Sequence, residues 1–159
     1  MEKNVSLKPA DKRGLLSAAA LDKELFPDSP WGEPGFERCL LCGPECCLTA
    51  EEKDTGRLLG YVIFSAISDS EIYRIGVDPN CRRQGIGTLL LDTAEVFCRE
   101  QGGERLFLEV REDNVPALSL YTSAGFKEIY RRKAYYKDPI TDAVIMEKLI
   151  VKEKETGDA

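Results

Sequence analysis

Two groups of residues in this 159-residue chain have the types and spacing to do chemistry. The first is Arg82-Arg83-Gln84-Gly85-Ile86-Gly87, standing between a strand-like run, Glu71 to Val77, and a helix-like run, Thr88 to Gln101. The first N–H groups of a helix lack internal acceptors and carry the positive end of its dipole, so two arginines there repel the terminus unless an anion sits between them. Glycines at 85 and 87 keep side chains out of the way of a ligand approaching the backbone. The hexamer reads as a phosphate site; the alternative is a tight strand-to-helix turn with a solvated arginine pair. The second group is Glu109, near the end of the apolar run Arg105-Leu106-Phe107-Leu108-Glu109-Val110, together with Tyr121 in the next segment. A carboxylate can serve as a general base and a phenol as a general acid. The alternatives are a solvated strand-end glutamate and a core tyrosine with a bonded hydroxyl.

Composition narrows the chemistry. The chain has no histidine, which removes His-dependent triads and H-E-x-x-H metalloproteases and leaves carboxylate, Tyr, Cys, Lys or water as the base. No lysine follows Gly87, so the loop is not a Walker motif, and Leu90 stands where a dinucleotide fingerprint needs its third glycine. A net charge of -6 provides no global basic field for nucleic acid and suits a basic peptide partner better. No apolar run approaches the roughly 20 residues of a membrane span, and the N-terminus lacks a basic segment followed by an apolar one. The expectation is a cytoplasmic protein with no membrane segment. Four of the six cysteines, Cys39, Cys42, Cys46 and Cys47, crowd together, while Cys81 and Cys98 fall on the loop and helix. Without a second pair or a histidine they read as reduced thiols rather than a metal site, and no metal is expected.

The elements that must position these groups follow in order. One domain is expected over residues 1–151, with a charged tail at 152–159. Val5-Ser6-Leu7 reads as a strand, and Asp11 offers an N-cap to a helix ending near Leu25. Phe26 to Gly32 is a loop presenting Phe26 and Trp31, and Glu33 to Cys42 forms a second helix broken by Gly43-Pro44. Glu45 to Ala50 and Leu58 to Ser65 are strands joined by a charged turn. The helix after the glycine loop buries Ile86, Leu90, Ala94 and Phe97 and stops at Gly102-Gly103. The run around Glu109 reads as a strand covered on both faces, which makes a carboxylate there anomalous. Asp113 or Asn114 caps a helix with Pro116 in its first turn and Gly125 after its end. Phe126 to Arg132 and Asp142 to Leu149 are strands on either side of a segment holding Tyr135-Tyr136 and Asp138-Pro139.

Several stretches resemble one family in the same order. Ile75-Gly76-Val77-Asp78-Pro79 and the R-x-x-G-x-G loop come first. Leu108-Glu109-Val110-Arg111 and Asn114-x-x-Ala117-x-x-Leu120-Tyr121-x-x-x-Gly125-Phe126 follow, and Tyr135-Tyr136 and Asp142-Ala143-Val144-Ile145-Met146 complete the set. Together they resemble the GCN5-related N-acetyltransferases, specifically the RimI type that modifies ribosomal-protein alanine. The resemblance implies an α/β acyl-CoA N-acyltransferase fold with a central, mostly antiparallel sheet of about seven strands flanked by helices. It also implies that the strands part near Gly76 and Glu109 to admit pantetheine. Acetyl-CoA is then the co-substrate, contacted by Ile75, Gly76, Val77, Arg82, Arg83, Gln84, Gly85, Ile86, Gly87, Thr88, Asn114 and Tyr121. Asn114 is equally explained as a helix cap.

Acetyl transfer from a thioester needs a neutral amine, a held carbonyl and a proton for the leaving thiolate. A peptide α-amine, with pKa about 8, requires less help than a lysine at about 10.4. The resemblance makes Glu109 the general base and Tyr121 the acid beside the sulfur. It makes an alanine-starting ribosomal protein the acceptor, with Trp31, Tyr135 and Tyr136 on two loop-like segments walling a peptide groove or simply packing. The alternatives are a lysine or small-amine acetyltransferase and a non-catalytic CoA-binding sensor. Asp28-Ser29-Pro30 separates Pro27 from Trp31, where RimI-type chains run Phe-Pro-Trp without a break, so this loop is reshaped.

Overall fold

A computed structural model describes residues 4–41, 45–66, 69–82 and 84–150. Arg83, Cys42, Gly43, Pro44 and the expected tail at 152–159 therefore lie outside the described residues. In chain order the elements are β1 (Val5–Pro9), α1 (Lys12–Leu25), α2 (Glu33–Glu37), β2 (Glu45–Glu52), β3 (Leu58–Ser65), β4 (Asp69–Val77), α3 (Ile86–Glu100), β5 (Arg105–Arg111), α4 (Val115–Ser123), β6 (Lys127–Lys137) and β7 (Ile140–Leu149).

Local chemistry sets the helix ends. The Asp11 carboxylate accepts the Gly14 N–H at 2.7 Å, capping α1, and that bond holds the carboxyl below its usual pKa. Gly85 precedes α3 in the left-handed region at φ 79°, and Gly102 ends it at φ 81°. Asn114, not Asp113, caps α4, its Oδ1 accepting the Ala117 N–H at 3.2 Å with Pro116 in the first turn. The expected second helix is shorter: α2 gives way to a 3-10 turn at Arg38–Leu41. β2 takes Glu51 and Glu52 from the expected turn because they pair with Ser6 and Val5 of β1.

Among the described residues seven strands make one sheet in the order β1-β2-β3-β4-β5-β7-β6. Every pairing is antiparallel except β4 with β5, whose connection is the crossover through α3. One face buries Val62, Phe64, Ile72, Leu106 and Leu108 under Ile86, Leu90, Ala94 and Cys98 of α3. The other buries Cys47, Tyr61 and Ile63 under Leu15 and Ala18 of α1 and Phe36 of α2. This second layer is incomplete: Phe107 is only half-buried and Glu109 is exposed. The expectation that both faces of β5 are covered is corrected here, and with it the anomaly of a carboxylate in that strand.

The parallel ladder is short. It runs Asp69↔Arg105, Ser70↔Leu106, Glu71↔Phe107 and Ile72↔Leu108 and then stops. Beyond it β4 stays with β3 as far as Val77, while β5 stays with β7 as far as Arg111. The parting coincides with a bulge: Ile63 pairs with Arg74 and Phe64 with Ile72, leaving Tyr73 as an extra residue in β4. A bulge bends its strand and adds twist, which turns β4 away from β5 at this point.

Candidate active site

Glu109 is the first residue of β5 beyond the last pair with β4. Its side chain shares a face with Phe107, because alternate residues of a strand point the same way. The Tyr136 hydroxyl donates to Glu109 Oε2 at 3.5 Å, the outer limit of a hydrogen bond. The Arg111 guanidinium lies 4.6 Å from the centre of the Tyr136 ring and bonds the Asp113 carboxylate at 3.1 Å. Burial, and secondarily Glu109, raises the Tyr136 phenol above its ordinary pKa, with Arg111 opposing.

A cleft of about 350 Å³ opens here, lined by Glu71, Phe107, Glu109, Tyr130, Arg132 and Ile145. Glu71 enters through register alone: it pairs with Phe107 in the parallel ladder, so its carboxylate and that of Glu109 flank the cleft from neighbouring strands. Burial raises the Glu71 carboxyl, and the nearby Glu109 charge adds to the effect. Sequence reasoning missed Glu71. The available signal was a charge between the apolar-face positions Ser70 and Ile72.

Tyr121 belongs to the opposite face. It is 7% exposed, packs edge-on against Phe126 with ring centres 5.9 Å apart, and its phenol is pushed up to about 12 by burial. Glu109 and Tyr121 thus lie on opposite faces of the sheet, Glu109 open to the cleft and Tyr121 within the core under α3.

The start of α3 has the features of an anion site. Gly85, the residue before it, supplies no side-chain cap, no acid occupies the first turn, and a Cβ on Gly85 would meet nothing within 4 Å. Its opening N–H groups are thus free of side-chain acceptors among the described residues. Arg82, Gln84 and Thr88 are exposed around it. Ile86 is 1% exposed, so only its backbone can face a ligand. Gly87 has a packing reason as well, since a Cβ there would come within 3.1 Å of Leu120 Cδ2 on α4. Gly76 likewise answers to packing: its Cβ would lie 2.5 Å from Tyr61 Cε1. Ile75 and Val77 flank it, half-buried against the core. The glycine opening, the uncapped helix terminus and the seam between β4 and β5 fit a long ligand with an anionic end.

Tyr135 and Tyr136 lie within β6 rather than in a loop. A bulge interrupts the register between Arg132 and Tyr136, with Ala134 at φ 51° and its N–H held by Asp142 at 2.8 Å. The two tyrosine rings meet edge to face at 5.2 Å. Trp31 is in the expected loop, half-buried, its ring 5.8 Å from that of Tyr73. Cys81 and Cys98 are buried, Cys81 Sγ near Arg57 Nη2 at 3.6 Å and Cys98 Sγ on the Ser65 carbonyl at 3.7 Å. Burial pushes the Cys39 thiol up to about 11 and raises Cys47 as well, which opposes nucleophilic use. Among the described residues no group of acids and thiols is arranged to hold a metal, and no helix is long and apolar enough to cross a membrane.

A mixed sheet parted beside a strand-end glutamate, with an uncapped helix start at its rim, is the architecture of an acetyltransferase. Residues 15–126 match the Acetyltransferase (GNAT) family, and the chain belongs to it as an N-acetyltransferase. It is 37% identical over 134 residues to the N-alpha-acetyltransferase RimI of Mycobacterium tuberculosis, covering 80% of this chain and 82% of that one. To the ribosomal protein bS18-alanine N-acetyltransferase of Escherichia coli K12 it is 34% identical over 120 residues, 74% and 79% of the two chains. The crystal structure of the Escherichia coli ribosomal-protein-S18-alanine N-acetyltransferase superposes with a TM-score of 0.80 at 28% identity, covering 96% of this chain and 97% of that one.

Proposed function

We propose that the protein transfers an acetyl group from acetyl-CoA to the N-terminal α-amine of a protein, and that its acceptor, as the names of its relatives suggest, is a ribosomal protein beginning with alanine. The observation that carries this reading is the position of Glu109, one residue past the end of the parallel ladder and open to a cleft on the face away from α3.

Bound acetyl-CoA supplies the activated thioester. The residues of this chain do the rest. Arg82 and the first N–H groups of α3, with Gly85 leaving them open, hold the pyrophosphate. Ile75, Gly76 and Val77 line the seam along which the pantetheine arm lies, and Asn114, whose Oδ1 is occupied in capping, keeps its amide N–H donors for that arm. Glu109 takes a proton from the incoming ammonium, directly or through a water, so that the neutral amine attacks. Tyr121, protonated throughout the neutral range, donates its hydroxyl proton to the departing sulfur and is reprotonated by the second proton that the nitrogen sheds as the tetrahedral adduct collapses.

Two carboxylates in one cleft, Glu71 and Glu109, suit a cationic acceptor. Tyr136 and Tyr135 on β6 and Trp31 on the loop after α1 give it aromatic walls. The test compares an alanine-starting basic peptide, its N-acetylated copy and a lysine-containing peptide with a blocked terminus. Acetylation of the first alone is expected. Equal rates on the last two would replace the N-terminal reading with a lysine acetyltransferase, and binding of CoA without thioester consumption on any amine would leave a sensor.

A further inference from the structure

Asp22 has no part in the chemistry above, yet it is a fully buried carboxylate, 0% exposed, near the C-terminal end of α1. An ionised group there requires partners for its charge and its lone pairs. It has them. The Tyr61 hydroxyl donates to Oδ1, the Trp31 backbone N–H donates to Oδ2 at 2.7 Å, and Arg74 Nη1 approaches the two oxygens at 3.2 and 3.1 Å. Arg74 Nη1 also donates to the Ser29 carbonyl at 2.8 Å, and its guanidinium stands 4.1 Å from the centre of the Phe26 ring. Apart from Tyr61, every partner of this ion pair among the described residues belongs to the loop 26–32.

The bulge explains how β4 reaches that loop. With Tyr73 an extra residue, Tyr73 and Arg74 both contact the loop although they are consecutive, Arg74 through Asp22 and Ser29, Tyr73 through the Trp31 ring at 5.8 Å. The same bulge stands where β4 leaves β5 and where Glu109 begins the open part of β5. The loop is thus fastened to the strand that borders the acceptor cleft.

We propose that Asp22 and Arg74 are positioning residues for the acceptor. The pair holds the loop 26–32, and Trp31 with it, as a preformed wall that sets the affinity for the peptide and the choice of its first residue. The proposal rests on the reading that a peptide N-terminus enters from this face. A fixed wall excludes large first residues by steric contact, whereas a released wall admits them.

The test uses Arg74→Lys, which keeps the charge but loses the planar guanidinium that serves Asp22, Ser29 and Phe26 together. Trp31 is the only tryptophan, so its emission and its quenching by acrylamide report the loop directly. Expected are faster quenching, a rise of about tenfold in KM for an alanine-starting peptide, a smaller change in kcat, unchanged acetyl-CoA affinity and an unchanged pH profile. Preference for alanine over leucine at the first position should fall. If Arg74→Lys is not folded by circular dichroism, Phe26→Leu, which removes only the ring beside the guanidinium, carries the same comparison. Unchanged quenching in a folded variant would overturn the clamp. Faster quenching with unaltered peptide KM and selectivity would overturn its role in acceptor choice. Failure of the parent enzyme to acetylate any peptide would overturn the acceptor reading instead, and the quenching measurement would still decide whether the pair fastens the loop.

Discussion

The Tyr136 hydroxyl points at Glu109 from β6 across β7, at 3.5 Å, so the carboxylate proposed as base is touched by the C-terminal hairpin as well as held by its own strand. A bond this long is slack. A hydrogen bond to a charged group contributes roughly 1.5–3 kcal/mol at good geometry, so Tyr136→Phe should lower kcat/KM by less than about tenfold. Steady-state kinetics with peptide and acetyl-CoA varied separately would show it, and a loss as large as that of Glu109→Gln would make Tyr136 part of the proton path.

Glu109→Gln should reduce kcat near neutral pH by roughly 10²- to 10⁴-fold, with partial recovery in alkali, where solution supplies the neutral amine. Tyr121→Phe should show no such recovery, because raising pH does not replace a proton donor. The buried phenol also gives a signature in stability. Its folded pKa, about 12, exceeds the ordinary value of about 10, so the fold holds this proton more tightly than the unfolded chain does. Its contribution is intact below about pH 10 and is lost as pH rises toward 12. Denaturant midpoints measured across that range should fall less steeply for Tyr121→Phe than for the parent.

Glu71→Gln should raise KM for basic peptides while leaving acetyl-CoA affinity alone, and should flatten the salt dependence of kcat/KM. Because burial and Glu109 raise the Glu71 carboxyl, it neutralises at higher pH than an ordinary glutamate, and the parent should lose affinity for basic peptides on mild acidification. A KM that ignores both salt and this substitution would remove Glu71 from acceptor binding.

Gly76→Ala should destabilise the fold by about 1–3 kcal/mol, since the new methyl would press on the Tyr61 ring, which packs against Phe36 and bonds Asp22. Chemical denaturation measures it directly. Gly87→Val should weaken acetyl-CoA binding in calorimetry, but it must also displace Leu120, so its effect is to be compared with that of Leu120→Ala, which touches packing alone. Equal affinities in Gly87→Val and the parent would remove the helix start as the phosphate site.

What could be read in the sequence was what neighbouring residues determine. Asp11, Gly85, Asn114 and Gly102 act within a turn of their own positions, and each bounds its helix as their chemistry dictates. Glu109 stood out in the sequence because a carboxylate interrupts an apolar run, but the structure gives a different reason for it: that face of β5 is open rather than covered. Asp22 was not: within Leu21-Asp22-Lys23-Glu24 it reads as one more solvated charge, and its burial depends on Tyr61, Arg74 and Trp31, which come from two strands and a loop. Glu71 depended on the register of the parallel ladder, which no local pattern specifies. That Tyr135 and Tyr136 belong to β6 is hidden in the sequence, because the strand continues past a register shift between Arg132 and Tyr136 that only its pairing with β7 reveals.

The brevity of the β4–β5 ladder bears on how the molecule deforms. A chain of backbone bonds unites β1 to β4, another unites β5, β7 and β6, and among the described residues the strand pairs between these two blocks run only from Asp69↔Arg105 to Ile72↔Leu108. Thermal opening of the sheet should start along this line, at the end where Tyr73 and Glu109 diverge, so amide exchange in the second half of β4 should be faster than in β3. Glu109 rides on one block, while Asp22, Arg74 and the loop they fasten ride on the other. Small rotations about the line would therefore change the gap between the acceptor wall and the carboxylate, and any molecule lying in the gap would damp them.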